Sequence, residues 1–243
     1  MNDRVVFLLH PSLRARAYLQ TAMRAGLGPD LAVRLGSDAD DAADPAWSAP
    51  ADGSFDPRES LVATLDRYGV GEVQVDDPDV NGARLVAVLR AIAPSLVVFT
   101  GGGILREATL AAAPRWLHVH PGRLPDRRGS TCIHFGLLLD GRVEASAIFM
   151  RAGLDGGPVA YRRALEVDPT WTPEGLDHVD DARIRSRVLV ETLCRLREPG
   201  FAAEEQDAGD QKTFYVIHPV LKHIALTTAL PSAQDAAREE TVS

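Results

Sequence analysis

The segment SLVVFTGGGILREATLAAAPRWLHVHP, residues 95–121, predicts two buried strands separated by a glycine-rich turn and a short helix. A similar order opens the chain, where RVVFLL, residues 4–9, precedes a helical segment and DLAVRLG, residues 30–36, follows it. Strands that alternate with helices in this way are joined by crossovers and run parallel. We therefore predict an α/β fold in which an open, mostly parallel sheet is flanked by helices.

The domain organisation follows from length and composition. A chain of 243 residues, 45% of them hydrophobic and 25% charged, suits one domain with a sizeable core. We expect residues 1–228 to form a single catalytic domain that contains a long acidic loop at residues 37–58. Residues 229–243 are polar, and we expect them to be a disordered tail.

Charge and cysteine content restrict the partners and the compartment. The formal net charge of −8 disfavours binding to a nucleic-acid backbone. No apolar run approaches the roughly 18 residues of a membrane span. Two widely spaced cysteines, Cys132 and Cys194, do not form a disulfide framework and indicate a reducing compartment. We expect a cytoplasmic protein that binds neither nucleic acid nor membrane; its oligomeric state is left open.

Two histidines stand at the end of one predicted strand. His118 and His120 alternate with apolar residues, so both side chains lie on one face of the strand, which Pro121 ends. The carboxyl ends of strands are where open α/β sheets bind their ligands. A lone strand histidine is more often structural, but two on one face at this edge favour a catalytic role for both.

An aspartate and several arginines are further candidates. Asp155 lies in the turn GLDGGPV, residues 153–159, whose glycines let the backbone approach a ligand, although aspartate is also common in turns for structural reasons. Two groups of residues could bind an anion: Arg123, Arg127 and Arg128 in the loop after the histidines, and Ser12, Arg14 and Arg16 after the first strand. The loop arginines could equally be solvated.

Taken together, two motifs resemble the folate-dependent formyltransferases. HVHPGRLPDRRGST, residues 118–131, and ASAIFMRAGLDGGPV, residues 145–159, resemble the family's Asn-x-His-Pro-Ser-x-Leu-Pro and later Leu-Asp-x-Gly. The resemblance covers roughly residues 85–165. It implies the Rossmann-like variant found in the catalytic domains of methionyl-tRNA and glycinamide ribonucleotide formyltransferases.

The resemblance also implies the site residues. The family's catalytic histidine and aspartate fall on His120 and Asp155, whereas His118 stands where the family has asparagine. Gly122 replaces the usual serine, and Cys132 stands where some members have proline or alanine. The formyl donor implied is 10-formyltetrahydrofolate. The residues expected to bind it are Gly102, Gly103, Ile104, Leu105, Gly122, Arg123, Leu124 and Pro125.

The expected reaction is transfer of the formyl group to an amine of a small-molecule substrate. His120 and His118 would donate hydrogen bonds to the oxyanion that forms on the formyl oxygen, and Asp155 would take the proton that the amine loses. The tRNA-formylating members add a C-terminal barrel, for which residues 166–243 are too few and too helical. The acidic net charge likewise favours a small substrate.

Three alternatives stay open at this point. His118, His120 and Asp155 could be the ligands of a metal-dependent enzyme, because the replacement of asparagine by histidine is the change that a metal site would favour. The formyl-transfer interpretation needs no metal. The chain could instead be a hydrolase that releases formate from the same folate donor, or a non-catalytic folate- or nucleotide-binding module.

Overall fold

The computed structural model describes residues 4–42, 47–50, 52–168, 171–207 and 212–229. The strands are β1 Val5–Leu9, β2 Leu31–Leu35, β3 Glu72–Val75, β4 Leu96–Phe99, β5 Trp116–His120, β6 Arg127–Gly129, β7 Val143–Phe149, β8 Val159–Leu165 and β9 Lys212–Phe214. The helices are α1 Leu13–Arg24, α2 Leu61–Tyr68, α3 Ala83–Ile92, α4 Glu107–Leu110, α5 Cys132–Asp140, α6 Pro173–Gly175, α7 Asp181–Arg195 and α8 Pro219–Ala229. A π-helical segment, Leu176–Asp180, leads into α7.

The main sheet has seven strands in the order β3-β2-β1-β4-β5-β7-β8. The first five are parallel, and the β5–β7 and β7–β8 pairs are antiparallel. The predicted open, mostly parallel sheet flanked by helices is therefore confirmed. The chain moves from β1 to β3 on one side and then returns to β4 on the other, so the sheet has a topological switch point between β1 and β4.

The central strands are apolar on both faces because helices cover both sides of the sheet. Phe7 and Leu9 of β1 pack into a core layer with α1 and α7, whereas Val6 and Leu8 pack into the opposite layer with α3. Ser12 begins α1 by accepting a hydrogen bond from the backbone N–H of Ala15. In the described ranges, no helix combines the length and the apolar character that a bilayer crossing requires.

Parts of the acidic loop at residues 37–58 are packed against the domain. Asp38–Asp41 form a 3-10 turn, and the carboxylate of Asp41 contacts the guanidinium of Arg16 at 3.1 Å. Phe55 is buried, and the backbone N–H of Leu61 donates to Asp41 at 2.7 Å. Residues 43–46 and 51 of the loop, and residues 230–243 of the expected tail, lie outside the described residues.

One small element departs from the sequence-based reading. The segment after the histidines is a loop in the sequence analysis, but its residues Arg127–Gly129 form β6, which pairs in parallel with β9. Gly129 has a φ of 101°, and a Cβ there would lie 2.1 Å from the carbonyl oxygen of Phe214. Only glycine allows this close approach, which draws the C-terminal segment of the described chain over the end of β5.

Candidate active site

A cavity of about 600 Å³ lies where β4 and β5 end and α1 begins. Phe99, His118 and His120 line it from the two strands, and Arg14 lines it from the first turn of α1. Asp155 reaches it from the turn between β7 and β8, and Arg185 reaches it from α7. The three residues predicted to be catalytic therefore converge on one cavity at the switch point of the sheet.

His120 is buried, and both of its ring nitrogens have neighbours. Nε2 lies 2.9 Å from the carbonyl oxygen of Arg127, which only accepts, so Nε2 carries a proton. Nδ1 lies 3.4 Å from Oδ2 of Asp155. Burial lowers the pKa of His120, against the opposing effect of the Asp155 carboxylate. In the neutral ring, the lone pair of Nδ1 therefore faces a carboxylate oxygen, and two acceptors repel each other. A proton held between them would remove this repulsion.

The turn that carries Asp155 is held in a demanding conformation. Asp155 has a φ of 48°, in the left-handed region that aspartate tolerates better than most residues. Its Oδ2 accepts the backbone N–H of Gly129 at 2.9 Å, and its carbonyl oxygen accepts a hydrogen bond from Gln206 at 2.8 Å. A Cβ on Gly157 would lie 1.7 Å from the carbonyl oxygen of Phe149. The glycines thus let the turn pack closely enough to hold the carboxylate beside His120.

His118 is half-buried, and its neighbours determine its tautomer. Nδ1 lies 3.3 Å from the carbonyl oxygen of Phe99, and Nε2 lies 3.3 Å from Nη2 of Arg185. The carbonyl can only accept and the guanidinium can only donate, so Nδ1 carries the proton and Nε2 is the acceptor. Burial, followed by the charges of Arg185 and Arg14, lowers the pKa of His118 well below its usual value.

This geometry differs from the expected role of His118. An oxyanion needs an N–H donor, but the one N–H of neutral His118 is directed at the carbonyl oxygen of Phe99. The ring instead acts as an acceptor that orients Arg185. The sequence could not reveal this, because both neighbours of the imidazole come from other elements of the fold.

The residues predicted to bind the folate donor fall into two groups. Gly102, Gly103 and Ile104 line the main cavity, and Gly103, Ile104 and Leu105 also line a smaller adjoining pocket with residues 148, 150–151 and 153–156. Gly103 has a φ of 93°, which most side chains would not tolerate. The first group therefore lies at the site, as expected from the glycine-rich turn after β4.

The second group, Gly122, Arg123, Leu124 and Pro125, lines neither pocket. Leu124 is fully buried in an apolar cluster with Ile148 and Val159, and Arg123 pairs with Asp126 at 2.9 Å. Gly122 has a packing role instead, because a Cβ there would lie 2.7 Å from Cβ of Cys132 and 3.0 Å from Nε2 of His120. Their assignment to donor binding stays a prediction; in this structure the four residues shape and support the loop behind the histidines.

Other candidates from the sequence have structural partners. Arg127 is buried between Asp140 and Glu144, and Arg128 donates to Gln206 at 2.8 Å. Burial, then the nearby Asp155, raises the pKa of Cys132 to about 12, so its thiol is protonated at neutral pH. These contacts stabilise the loop and the turn around the cavity.

The metal-ligand alternative meets an obstacle in the contacts of His118. A metal would need a free lone pair on this ring, and its one lone-pair nitrogen lies 3.3 Å from the guanidinium of Arg185. No set of three or more His, Cys, Asp or Glu side chains among the described residues is arranged to hold a metal ion. The neighbouring cation makes this position unfavourable for a second positive charge.

Sequence reasoning missed Arg185 and Asp181, which also line the cavity. They stand four residues apart at the start of α7, a spacing typical of an exposed ion pair. Here Arg185 is 4% exposed and Asp181 is 21% exposed, and their side chains contact each other at 3.2 Å. Ile184 precedes Arg185 and Val188 follows it by one helical turn. These apolar neighbours were the available sign that this part of the helix faces inward.

The sequence comparisons point to one activity class among relatives. No family model matches the chain. Methionyl-tRNA formyltransferase from Heliobacterium modesticaldum is 36% identical over 121 residues, covering 49% of this chain and 37% of that relative. Methionyl-tRNA formyltransferase from Anaeromyxobacter dehalogenans is 37% identical over 133 residues, covering 53% of this chain and 42% of the relative. The match thus spans less than half the length of these two curated relatives.

Solved structures share the fold. A sugar N-formyltransferase from a Shewanella species superposes with a TM-score of 0.56 at 15% identity, over 95% of this chain and 89% of that chain. HypX from Aquifex aeolicus, in complex with tetrahydrofolic acid, superposes with a TM-score of 0.54 at 12% identity, over 95% of this chain and 35% of that chain. The shared fold and the partial matches in sequence agree: this chain is similar to formyltransferases in sequence over about half of its length and in fold over most of it.

Proposed function

We propose that this protein transfers a formyl group from 10-formyltetrahydrofolate to an amine of a small-molecule substrate. The observation that carries the proposal is the 3.4 Å approach of His120 Nδ1 to Asp155 Oδ2 at the wall of the cavity. The methionyl-tRNA formyltransferases that match in sequence, and the HypX structure that contains tetrahydrofolic acid, support this reaction class.

The residues around the smaller pocket fit the folate donor. Leu105, Ile148 and Met150 give it apolar walls, and the backbone of the turn at residues 153–156 supplies polar groups at its edge. A flat heteroaromatic ring with hydrogen-bonding edges matches this lining, and because the pocket itself encloses only about 40 Å³, the ring would extend into the main cavity. Gly103, Ile104, Leu154 and Asp155 line both pockets, so a donor bound there would reach the main cavity beside Asp155. When bound, the donor supplies an activated formyl carbonyl.

His120 and Asp155 would handle the proton of the reaction. The attacking amine would first add to the formyl carbon, and the bond from that carbon to the donor nitrogen would break afterwards. The amine loses a proton, which the pair takes up between Nδ1 and Oδ2 and returns to the departing nitrogen. The hydrogen bond from Nε2 of His120 to the carbonyl oxygen of Arg127 keeps the ring oriented during both transfers.

The protonated pair would also stabilise the oxyanion. With a proton on Nδ1, His120 becomes a donor on the side of the ring that faces the cavity. A donor of this kind contributes a few kcal/mol, about 3 in measured cases, to the stability of the tetrahedral intermediate. In this proposal His118 is a positioning residue, since it contributes an acceptor for Arg185 rather than a donor for the oxyanion.

We also propose a single catalytic domain, a cytoplasmic location and a small substrate. The cavity is built from strands and helices between residues 14 and 216, which supports a single catalytic domain within residues 1–228. Cys132 and Cys194 are both free thiols, which fits a reducing, cytoplasmic compartment. A small-molecule amine fits a cavity of about 600 Å³.

The test uses the purified chain, 10-formyltetrahydrofolate and a panel of small amines. We expect tetrahydrofolate and a formylated amine to form in equal amounts, and only when an amine is present. Release of formate without any amine would identify a hydrolase instead. Folate binding without either product would identify a binding module, and loss of activity on treatment with a chelator would support the metal-dependent alternative.

A further inference from the structure

Two guanidinium groups stand together in the wall of the main cavity. Arg14 is half-buried and Arg185 is buried. Nε of Arg14 donates to the carbonyl oxygen of Thr100 at 2.6 Å, and Arg14 forms no ion pair with any residue that the structure describes. Nη1 of Arg185 contacts Asp181 at 3.2 Å, and Nη2 contacts His118 at 3.3 Å. Arg14 therefore has terminal N–H donors that no protein carboxylate occupies.

The charges in this part of the cavity do not balance. Asp181 is the carboxylate that acts on both arginines. His118 is neutral, and burial raises the pKa of the Tyr18 phenol beside them, so neither supplies a negative charge. Asp177 also lines the cavity, but it pairs with His134 and Lys222. Two cations thus share one carboxylate in a partly desolvated position.

The charge of one arginine affects the pKa of the other. Burial, then the charge of Arg185, lowers the pKa of Arg14 to about 10, which leaves it protonated at neutral pH. Two neighbouring cations repel each other, and an anion between them offsets this repulsion. Of the three residues after β1 that the sequence offered as anion ligands, Arg14 is the one whose polar group is available. Ser12 is occupied as the cap of α1, and Arg16 pairs with Asp41.

We propose that Arg14 and Arg185 bind an anionic group, a carboxylate or a phosphate, that is carried by the acceptor amine itself. This deepens the proposed function and rests on it. Arg185 contacts His118, which shares one face of β5 with His120, so an anion held there is close to the proton-handling pair. The substrate class is therefore a compact molecule in which the amine and the anionic group are a few bonds apart.

Binding of two probe anions tests the site without any turnover. Inorganic phosphate and acetate are titrated separately into the wild type and into Arg14→Gln, Arg185→Lys and Arg84→Gln, with calorimetric detection. Arg185→Lys keeps the buried charge but loses the planar fork of donors. Arg84→Gln is the control, because Arg84 is exposed and lies outside the lining of the cavity. Its ion pair with Asp76, at 3.8 Å, is also exposed, so its loss should have little effect.

We expect at least one of the two anions to bind the wild type and the control equally. Its affinity should fall about tenfold or more in Arg14→Gln and measurably in Arg185→Lys, since one charge-assisted hydrogen bond is lost in each. The anion that binds more tightly identifies the carboxylate or the phosphate. The inference is overturned if neither anion binds, or if both bind Arg14→Gln as tightly as the wild type.

Activity then separates the two proposals. Amines are compared in matched pairs, an amino acid with its amide and an aminoalkyl phosphate with its alcohol. A preference for the anionic member that disappears in Arg14→Gln, through a higher KM, supports the anion site. Formyl transfer that is equal for both members would sink the anion site but leave the proposed function intact. Anion binding without any formyl transfer would support the anion site and contradict the proposed function.

Discussion

Nε2 of His118 accepts a hydrogen bond from Arg185 across 3.3 Å, and this contact defines what the histidine can do. It makes Nδ1 the protonated nitrogen, which donates to the carbonyl oxygen of Phe99. His118 is therefore a neutral acceptor in a cationic environment. Its expected properties differ from those of an oxyanion donor and can be measured.

The first prediction concerns the protonation of His118. Because burial and the charges of Arg185 and Arg14 lower its pKa, the ring should stay neutral well below pH 6.5, with its proton on Nδ1. Replacing Arg185 by glutamine removes a nearby cation and should raise the pKa of His118. Nitrogen-15 NMR of the histidine rings reports both properties. Titration of wild-type His118 near pH 6.5, or no change in the variant, would contradict the assignment.

The second prediction compares two replacements of His118. His118→Asn supplies an amide oxygen that can accept from Arg185 and an amide N–H that can donate to the oxyanion, whereas the one N–H of the neutral imidazole is directed at Phe99, so transfer should be kept or increased. His118→Leu leaves the Arg185 donor without its partner, which costs about 1–3 kcal/mol of stability and weakens transfer. Chemical denaturation and the rate of tetrahydrofolate formation measure the two effects. Complete inactivity of a folded His118→Asn would show that the imidazole has an essential role that an amide cannot fill.

The sequence was sufficient to predict the sheet and the meeting of His118, His120 and Asp155 at one cavity. Alternating strands and helices predicted the parallel sheet, and the period of two in WLHVH together with Pro121 placed both histidines on one face at the carboxyl end of a strand. The roles of the ring nitrogens could not be predicted in this way. They depend on the carbonyl oxygens of Phe99 and Arg127 and on Arg185, which only the folded chain brings together.

The third prediction concerns stability at acid pH. Burial lowers the folded-state pKa values of His118 and His120 below the unfolded value of about 6.5. Below pH 6.5 the unfolded chain therefore binds more protons than the folded chain, and the free energy of unfolding falls as the pH falls. Above pH 6.5 this contribution is fully present.

Each pKa unit of depression corresponds to about 1.4 kcal/mol at sufficiently low pH. Denaturant unfolding at pH 7.5 and pH 5.5 measures the loss, which should be smaller in His118→Asn than in the wild type. An equal loss in both proteins would show that His118 does not contribute to the acid sensitivity.

The fourth prediction uses two adjacent glycines in the Asp155 turn. A Cβ at Gly157 would lie 1.7 Å from the carbonyl oxygen of Phe149, whereas at Gly156 the nearest atom is the carbonyl oxygen of Leu154 at 3.8 Å. Gly157→Ala should therefore destabilise the protein by about 2 kcal/mol and displace the carboxylate from His120. Gly156→Ala should change stability by less than about 0.5 kcal/mol. Thermal unfolding of the two variants checks this, and similar losses in both would be inconsistent with the close packing of Gly157.

The loop after the histidines shows the limit of motif reasoning. Its Leu-Pro sequence carried the family resemblance, yet Leu124 is fully buried and Arg123 pairs with Asp126, away from both pockets. Sequence patterns reveal that a loop has a specific structure but not which of its residues face the ligand. Arg185 shows the converse, because its pairing with Asp181 resembles a surface feature although the side chain is buried in the cavity wall.

The most direct test of the central claim replaces Asp155 by asparagine. Asparagine tolerates the φ of 48° and can still accept the backbone N–H of Gly129, so the turn should persist while the proton acceptor is lost. We predict that the rate of tetrahydrofolate formation from 10-formyltetrahydrofolate and an accepted amine falls about 100-fold or more, with folding unchanged. Asp126→Asn, at an exposed carboxylate of the neighbouring loop, should retain wild-type activity. Wild-type rates in a folded Asp155→Asn variant would contradict the account.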